Sequence, residues 1–488
     1  MLTKEGFQWT EKEGLVAGIP CLGAIQPASN VRSDRTLYDV IVIGAGYAGL
    51  TAARDLSTTG HEVLLLEARD RIGGRTWSSN LGGYPFEMGG TWVHWFQPFV
   101  YREIARYGMA KDLESSHDFE KGLNCHEVIT PGCRKAMSHD QEVAIMESAL
   151  KKFVNVDGDY GRKLVPFPHD PHYNPEVFKF DQMSFADRFK EIEEELTPLE
   201  RANFEGFLSI TSGGTMEESS FFEFIRWWAL NNYDIRNFFE LCLTFKFRSG
   251  QSAFARKFFD EASSTGRMSW QFNTPVAAIE NTRTSVTVTT RAGQQYRARR
   301  AVCTVPLNVL HKINFSPALS SAKLKASKTG HCNKVSKVHV ECKNPELRSF
   351  SATAFPHNKL TYTFGDGTTP AGNTHLVAFG SSLPGVQLNP EEKIEDTIEA
   401  FQEFAPMDVK RLVFHNWTKD EFADGAWEFL KPDMIKYLDA LRERQGNTIF
   451  ASADWALGWR GFIDGAIEDG TRAAMEIKTE LADRLVKL

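Results

Sequence analysis

The stretch Asp39-Val40-Ile41-Val42-Ile43-Gly44-Ala45-Gly46-Tyr47-Ala48-Gly49, with Glu67 downstream, decides how this chain folds. Val40 to Ile43 are consecutive branched apolar residues, which predicts a strand buried on both faces, as parallel strands are. Gly44, Gly46, Ala48 and Gly49 then turn the chain tightly and let its backbone approach a pyrophosphate. Leu50 to Leu56 begins a helix whose positive N-terminus favours that anion. His61 to Leu66 reads as the next strand, and Glu67 at its end is placed to accept a ribose hydroxyl. A glycine triplet alone also occurs in plain turns. Strand, helix and acidic residue together predict a dinucleotide site in an α/β, Rossmann-like domain.

Working outward, Ala68-Arg69-Asp70-Arg71-Ile72-Gly73-Gly74-Arg75-Thr76 sets two glycines between arginines. That suits a loop lying close to a cofactor while guanidinium groups offset phosphate charge, and equally a solvated charged turn. Glu87-Met88-Gly89-Gly90-Thr91-Trp92 repeats the glycine pair. At 488 residues the chain is too long for one small core and predicts two domains, or one large domain with insertions. A net charge of −7 without a Lys/Arg cluster gives no reason to expect nucleic acid. The seven cysteines are scattered and form no CxxC pair, which argues for free thiols and against a disulfide framework or a metal site. No stretch approaches the roughly 18 apolar residues that span a bilayer, and no signal core opens the chain. The terminal Val486-Lys487-Leu488 is a weak version of a peroxisomal address, so a cytoplasmic or peroxisomal location is expected.

Residues 1–36 read as a polar arm. Val165-Pro166-Phe167-Pro168 breaks any helix, and residues 184–262 are helical in pattern and rich in aromatics. Ser285 to Thr290 alternates with period two, and Ala301 to Pro306, Ser336 to Cys342, Leu360 to Phe364, His375 to Phe379 and Asn447 to Ala451 are further strand signals. A helix from about Gly465 to Lys487 closes the chain. This order fits an FAD-type domain assembled from 37–115, 250–330 and 436–488, with an inserted α+β substrate-binding domain from 116–249 and 331–435.

Together the blocks Gly44–Leu50, Glu67–Arg75 and Glu87–Gly90, with Asn416-Trp417, Gly425-Ala426-Trp427 and Gly465-Ala466-Ile467-Glu468-Asp469-Gly470, resemble the flavin-containing amine oxidases, most closely the soluble fungal monoamine oxidases. The blocks span residues 38 to 480 in the family's order. The resemblance implies FAD, with Glu67 on the adenosine ribose, Arg69 and Arg75 near the phosphates, and the backbone of Val276 at the adenine. Ala68, Gly74, Gly89, Gly90, Thr91, Trp92, Trp417, Ala453, Asp454 and Ile463 complete the implied cofactor contacts. The terminal helix would point its N-terminus at the flavin pyrimidine edge, where negative charge on the reduced ring gains about 0.3–2 kcal/mol from the dipole.

From pattern alone, Lys337 in Val335-Ser336-Lys337-Val338-His339-Val340 is a solvated lysine on an open sheet face. The resemblance reverses that and implies a lysine holding a water beside flavin N5. Trp427 and Phe462 resemble the two aromatic walls between which the family's substrate nitrogen passes, a slot whose π faces suit an amine. Many animal monoamine oxidases carry a flavin-bonding cysteine where this chain has Ala426, so FAD is expected to be non-covalent. Phe207, Ile210, Phe239 and Leu243 would line the substrate pocket, although as apolar residues at helical spacing they also read as plain core. Trp92, His94 and Trp95 would face the flavin or pack under it.

The implied reaction is oxidative deamination of a small amine. Hydride equivalents pass from the substrate α-carbon to flavin N5, the imine hydrolyses to aldehyde or ketone plus ammonia, and O2 becomes H2O2. The alternatives are an oxidase of a bulky long-chain amine (fumonisin-type or polyamine), a pyridine-nucleotide dehydrogenase and a non-catalytic flavin-binding protein. A polyamine oxidase would want paired carboxylates in its tunnel, and no such pair stands out. A pyridine-nucleotide enzyme would not need the distal blocks. The oligomeric state stays open, with a homodimer among the options.

Overall fold

The computed structural model describes residues 1–32 and 35–485. At its centre lies the strand Tyr38–Ile43, with Val40, Ile41 and Val42 wholly buried. It pairs in parallel with Val63–Leu66 on one side and Gln295–Cys303 on the other. Neighbours on both edges and cover on both faces demand apolar residues at every position, hence the unbroken run. Among the described residues these strands join Met268–Gln271, Val276–Asn281, Val286–Thr290, Asn314–Ser316 and Thr448–Phe450 in an eight-stranded sheet. The helix Tyr47–Ser57 starts one turn earlier than the sequence suggested, on an extended Gly46 that supplies no side-chain cap. It packs on the terminal helix Ile463–Leu485. A Cβ at Gly470 would lie 2.3 Å from the Ala48 carbonyl oxygen, so the helices meet through glycine.

A nine-stranded sheet runs in the spatial order Gly14–Ala17, Phe7–Thr10, Val409–His415, Lys337–Cys342, Thr374–Gly380, Leu360–Thr368, Phe350–Thr353, Cys125–Thr130 and Cys133–Met137. The N-terminal arm thus carries two strands that its polar sequence did not announce. They exist because Phe7–Thr10 finds an antiparallel partner in Val409–His415, with Phe7 stacked on Phe414 at 5.2 Å.

Lys337–Cys342 is buried at all six positions. Val338, Val340 and Cys342 pack into a core with Phe350, Phe401 and Phe404. The other face is covered by the hairpin Ser78–Leu81/Tyr84–Glu87, and His339 Nε2 sits 2.7 Å from the Glu87 carbonyl oxygen. The alternation at Lys337 therefore marks a polar but covered face, which corrects the open-face reading.

The aromatic segment folds into helices, including Pro198–Ser212, Phe221–Leu230 and Ile235–Leu243. Thr197 and Glu200 form a capping box around Pro198 at the first helical position, and left-handed Gly213 ends that helix. Phe153 meets Phe185, Phe204, Phe221 and Phe224 edge-on at 5.1–5.9 Å, so most of the aromatic surplus forms core. All seven cysteines are free. Among the described residues no helix is long and apolar enough to cross a membrane. Val486-Lys487-Leu488 lies outside the described residues.

Candidate active site

One continuous cavity begins at the C-terminal ends of the parallel strands, at Ile43 and Leu66, where open α/β sheets place ligands. Its first half is walled by backbone. A Cβ at Gly44 (φ +104°) would lie 2.4 Å from Thr304 Oγ1, and one at Gly89 would lie 1.9 Å from the Arg75 carbonyl oxygen. Gly74 approaches Gly46 so closely that a Cβ there would meet the Gly46 Cα at 3.1 Å. Buried Glu67 accepts from Ala45 N at 2.5 Å through Oε2 and from Arg69 N at 2.9 Å through Oε1. Burial pushes its carboxyl up, against the pull of Arg69 and those two N–H groups. Two of its roughly four lone-pair sites are thereby used, which leaves acceptor capacity for a ribose. The glycine cradle, the helix without a side-chain cap and Glu67 fit a dinucleotide such as FAD.

The arginines reach this wall already engaged. Arg69 forks onto Asp420 at 2.6 and 2.9 Å and also meets Glu5. Arg75 donates to the Ala426 carbonyl oxygen at 3.0 Å and pairs with Asp454. Burial works against the Asp454 charge, but Arg75, together with His331 and the Leu307 N–H, holds the carboxyl below its usual range. Asp454 and Gly49 are not on the cavity wall. Asp454 holds Arg75 and the Leu307 N–H (2.8 Å), while a Cβ at Gly49 would strike the Gly44 carbonyl oxygen at 1.9 Å. The other expected cofactor residues all line the cavity, Val276, Ala453 and Ile463 included.

In the middle of the cavity stands Lys337, 5 % exposed. Its Nζ donates to the Gly89 carbonyl oxygen at 3.0 Å and to Thr91 Oγ1 at 2.5 Å, and lies 4.9 Å from the centre of the Trp92 ring. Burial brings its ammonium down to about 8, against Asp366 and Glu87, which favour the charge. Trp427 and Phe462 line the same space. Trp427 Nε1 donates to the Thr211 carbonyl oxygen at 3.0 Å with its ring edge-on to Phe379, and Phe462 leans on Trp227 at 4.6 Å. Trp417 Nε1 donates to the Met88 carbonyl oxygen at 2.6 Å and fixes the start of the Gly89-Gly90 turn.

Beyond the aromatic pair the wall carries Phe207, Ile210 and Leu243, as expected, and also Trp227, Phe238 and Cys242, which sequence reasoning missed. Phe238 takes the place expected of Phe239. Adjacent helical residues point about 100° apart, and Phe239 is half-buried against Phe207 at 5.6 Å. The local signal was ambiguous because both residues are phenylalanine. Burial pushes the Cys242 thiol up to about 12, so it stands there as a neutral group. His94 is buried with Nε2 3.4 Å from Glu240 Oε1, and Trp95 is exposed. Among the described residues the carboxylates on the wall are Glu67 and Glu421, the latter paired with Arg291. None stands among the apolar residues beyond Trp427.

A dinucleotide cradle continuous with a buried lysine and an aromatic, uncharged chamber fits a flavoprotein oxidoreductase. Residues 47–478 match the family model of flavin-containing amine oxidoreductases. The chain is 31% identical over 451 residues to a pseudooxynicotine dehydrogenase from a Pseudomonas species, covering 91% of this chain and 87% of that one. It is 29% identical to a nicotine dehydrogenase of Pseudomonas putida, covering 98% and 99%. A solved putrescine oxidase superposes with a TM-score of 0.76 at 20% identity, covering 91% of this chain and 99% of its own. The chain belongs to the flavin-containing amine oxidoreductase family. It is an enzyme, and its cofactor is FAD.

Proposed function

We propose that this chain oxidises a monoamine with an apolar, aromatic or cycloaliphatic body, and that Lys337, Trp427 and Phe462 form its reaction centre. The observation that carries the reading is the continuity of one cavity from the glycine cradle through Lys337 to a chamber without a carboxylate. FAD, when bound, supplies the two-electron oxidation that takes the substrate from amine to imine. The chain's own residues do the rest. The tryptophan and phenylalanine faces orient the nitrogen, and the apolar chamber favours the uncharged amine because desolvating an ammonium without a partner is costly. Lys337 Nζ, anchored by Gly89 and Thr91, holds a water at the reaction end. Water then hydrolyses the imine to a carbonyl compound and ammonia. With oxygen as acceptor the sum is amine, O2 and water giving carbonyl, ammonia and H2O2. Alanine at 426 offers no sulfur for a bond to the ring, which supports non-covalent FAD.

A diamine substrate would leave its second ammonium facing the apolar chamber. Two of the relatives are named dehydrogenases, so an acceptor other than oxygen is the second reading. Visible spectra taken anaerobically during titration with a panel of amines test both. Bleaching by arylalkyl and cycloaliphatic monoamines ahead of diamines is expected, with recovery and stoichiometric peroxide on admitting air. Preference for diamines would overturn the substrate class. Slow recovery in air with fast recovery on adding a quinone or a one-electron carrier would transfer the acceptor role away from oxygen.

A further inference from the structure

We propose that Lys246 and Asp366 are positioning residues for the reaction centre: as a buried ion pair behind the cavity wall they set, partly through Ser116 and Trp92, where the Lys337 ammonium lies and whether it carries its proton. The inference rests on the role given to Lys337 above. Neither residue lines the cavity, and both are buried, at 4 % and 2 % exposure. Lys246 Nζ lies 2.9 Å from Asp366 Oδ1, donates to the Asp366 carbonyl oxygen at 2.5 Å and reaches Tyr84 Oη at 3.4 Å. A buried pair of this kind is weak evidence for a gain in stability, since replacing it by apolar residues is often neutral. Its place in the structure suggests another use.

Two routes lead from the pair to Lys337. One is mechanical. The Ser116 hydroxyl favours the Asp366 charge, and Ser116 Oγ accepts from Trp92 Nε1 at 2.9 Å. The Trp92 ring is the face on which Lys337 Nζ rests at 4.9 Å. The other is electrostatic, through a medium where charges are poorly screened. Asp366 favours the Lys337 charge more strongly than Lys246 opposes it, so the two fields act in opposite senses.

The remaining titratable groups around Lys337 are accounted for element by element. Glu87, at the end of the covering hairpin, accepts from Gln251 N at 2.9 Å, and burial raises its carboxyl. His339 on the same strand and His375 on the next share a 2.8 Å contact, and burial holds both well below their ordinary range, hence neutral. His375 continues the chain to Tyr84 Oη at 3.0 Å. His415, across the ladder from Lys337, is turned to Asp420 at 2.8 Å. Among these neighbours, Lys246 and Asp366 are the two whose surroundings hold them charged, Lys246 raised and Asp366 lowered by their mutual attraction despite burial.

The test reads the visible spectrum of the resting holoenzyme against pH, alongside the limiting rate of anaerobic bleaching by amine. Wild type is expected to show a transition near pH 8 that Lys337→Met abolishes. Asp366→Asn removes the attraction and moves the transition down by about one unit, while Lys246→Met moves it up by about one unit. The double variant Asp366→Asn/Lys246→Met is expected to lie between the two single variants, because the opposed effects partly cancel. A loss of packing alone gives no such opposite signs and no cancellation. Ser116→Ala leaves both charges in place and is expected to slow bleaching about 10-fold through a displaced Trp92. It carries the test should a single charge variant fail to fold, and an unchanged rate in it overturns the mechanical route. A transition lost in Lys337→Met but unmoved in both charge variants overturns this proposal and leaves the role of Lys337 standing. A Lys337→Met enzyme with transition and rate intact removes that role, and the present inference with it.

Discussion

The two halves of the cavity are built by different means. In the dinucleotide half the wall is backbone: Gly44, Gly74 and Gly89 are glycine because another atom occupies, or comes close to, the place of a Cβ. In the substrate half the wall is side chain, with Phe207, Trp227, Phe238 and Trp427 brought from segments that also form the aromatic core. At those glycines the first half leaves no room for a side chain. The second can change one side chain at a time, which on the proposed function is where the substrate would be chosen.

The comparison is broken most directly at Gly49, which stands behind the wall where the helix backs onto the Gly44 turn. Gly49→Ala puts a methyl 1.9 Å from the Gly44 carbonyl oxygen, and the helix can escape only by leaving the strand. Overpacking of this kind is expected to cost about 3 kcal/mol, together with most of the bound flavin. Chemical denaturation and the flavin absorbance of the purified protein measure the two losses, and a normally flavinated, equally stable variant would end the backbone-wall account. Next in size, Lys337→Met is expected to slow bleaching by amine about 100-fold while flavin stays bound. Full activity would return Lys337 to a structural part.

Smaller effects sharpen the contrast within the substrate half. Phe238→Leu should change the ratio of kcat/KM values between small and bulky amines by about 10-fold, whereas Phe239→Leu should leave it within about two-fold. Equal shifts in both would mean that the wall at this helix is misassigned. The smallest effect is on stability against pH. Lys337, at about 8 in the fold and about 10.4 unfolded, binds fewer protons folded than unfolded between those values. Its contribution to stability therefore rises with pH from about 8 to about 10.4 and levels off above. The wild-type curve minus the Lys337→Met curve should show that rise, and a flat difference would place Lys337 in water.

Legibility followed the same division. The run Val40–Ile43 could be read because a strand covered on both faces has one sequence solution, and the glycine spacing because close approach has one residue solution. Lys337 could not be read from its strand. Period-two alternation marks a polar face but not what covers it, and here a hairpin some 250 residues earlier in the chain does so. Phe238 and Phe239 could not be told apart, because helix phase is set by what the helix packs against. The strands of the N-terminal arm escaped notice because four residues carry too little pattern, and their partner lies about 400 residues away.

By itself, then, the sequence determined the nucleotide-binding grammar, the family and the presence of alanine rather than cysteine at 426, since these depend on contiguous residues or on one residue's chemistry. Only the tertiary structure decided that Arg69 and Arg75 arrive already paired, that Phe238 and Cys242 face the cavity, and that the buried pair Lys246–Asp366 stands behind Lys337. Each of those rests on contacts between distant segments, whose energies depend on burial and neighbours and are not written in any local stretch of the chain.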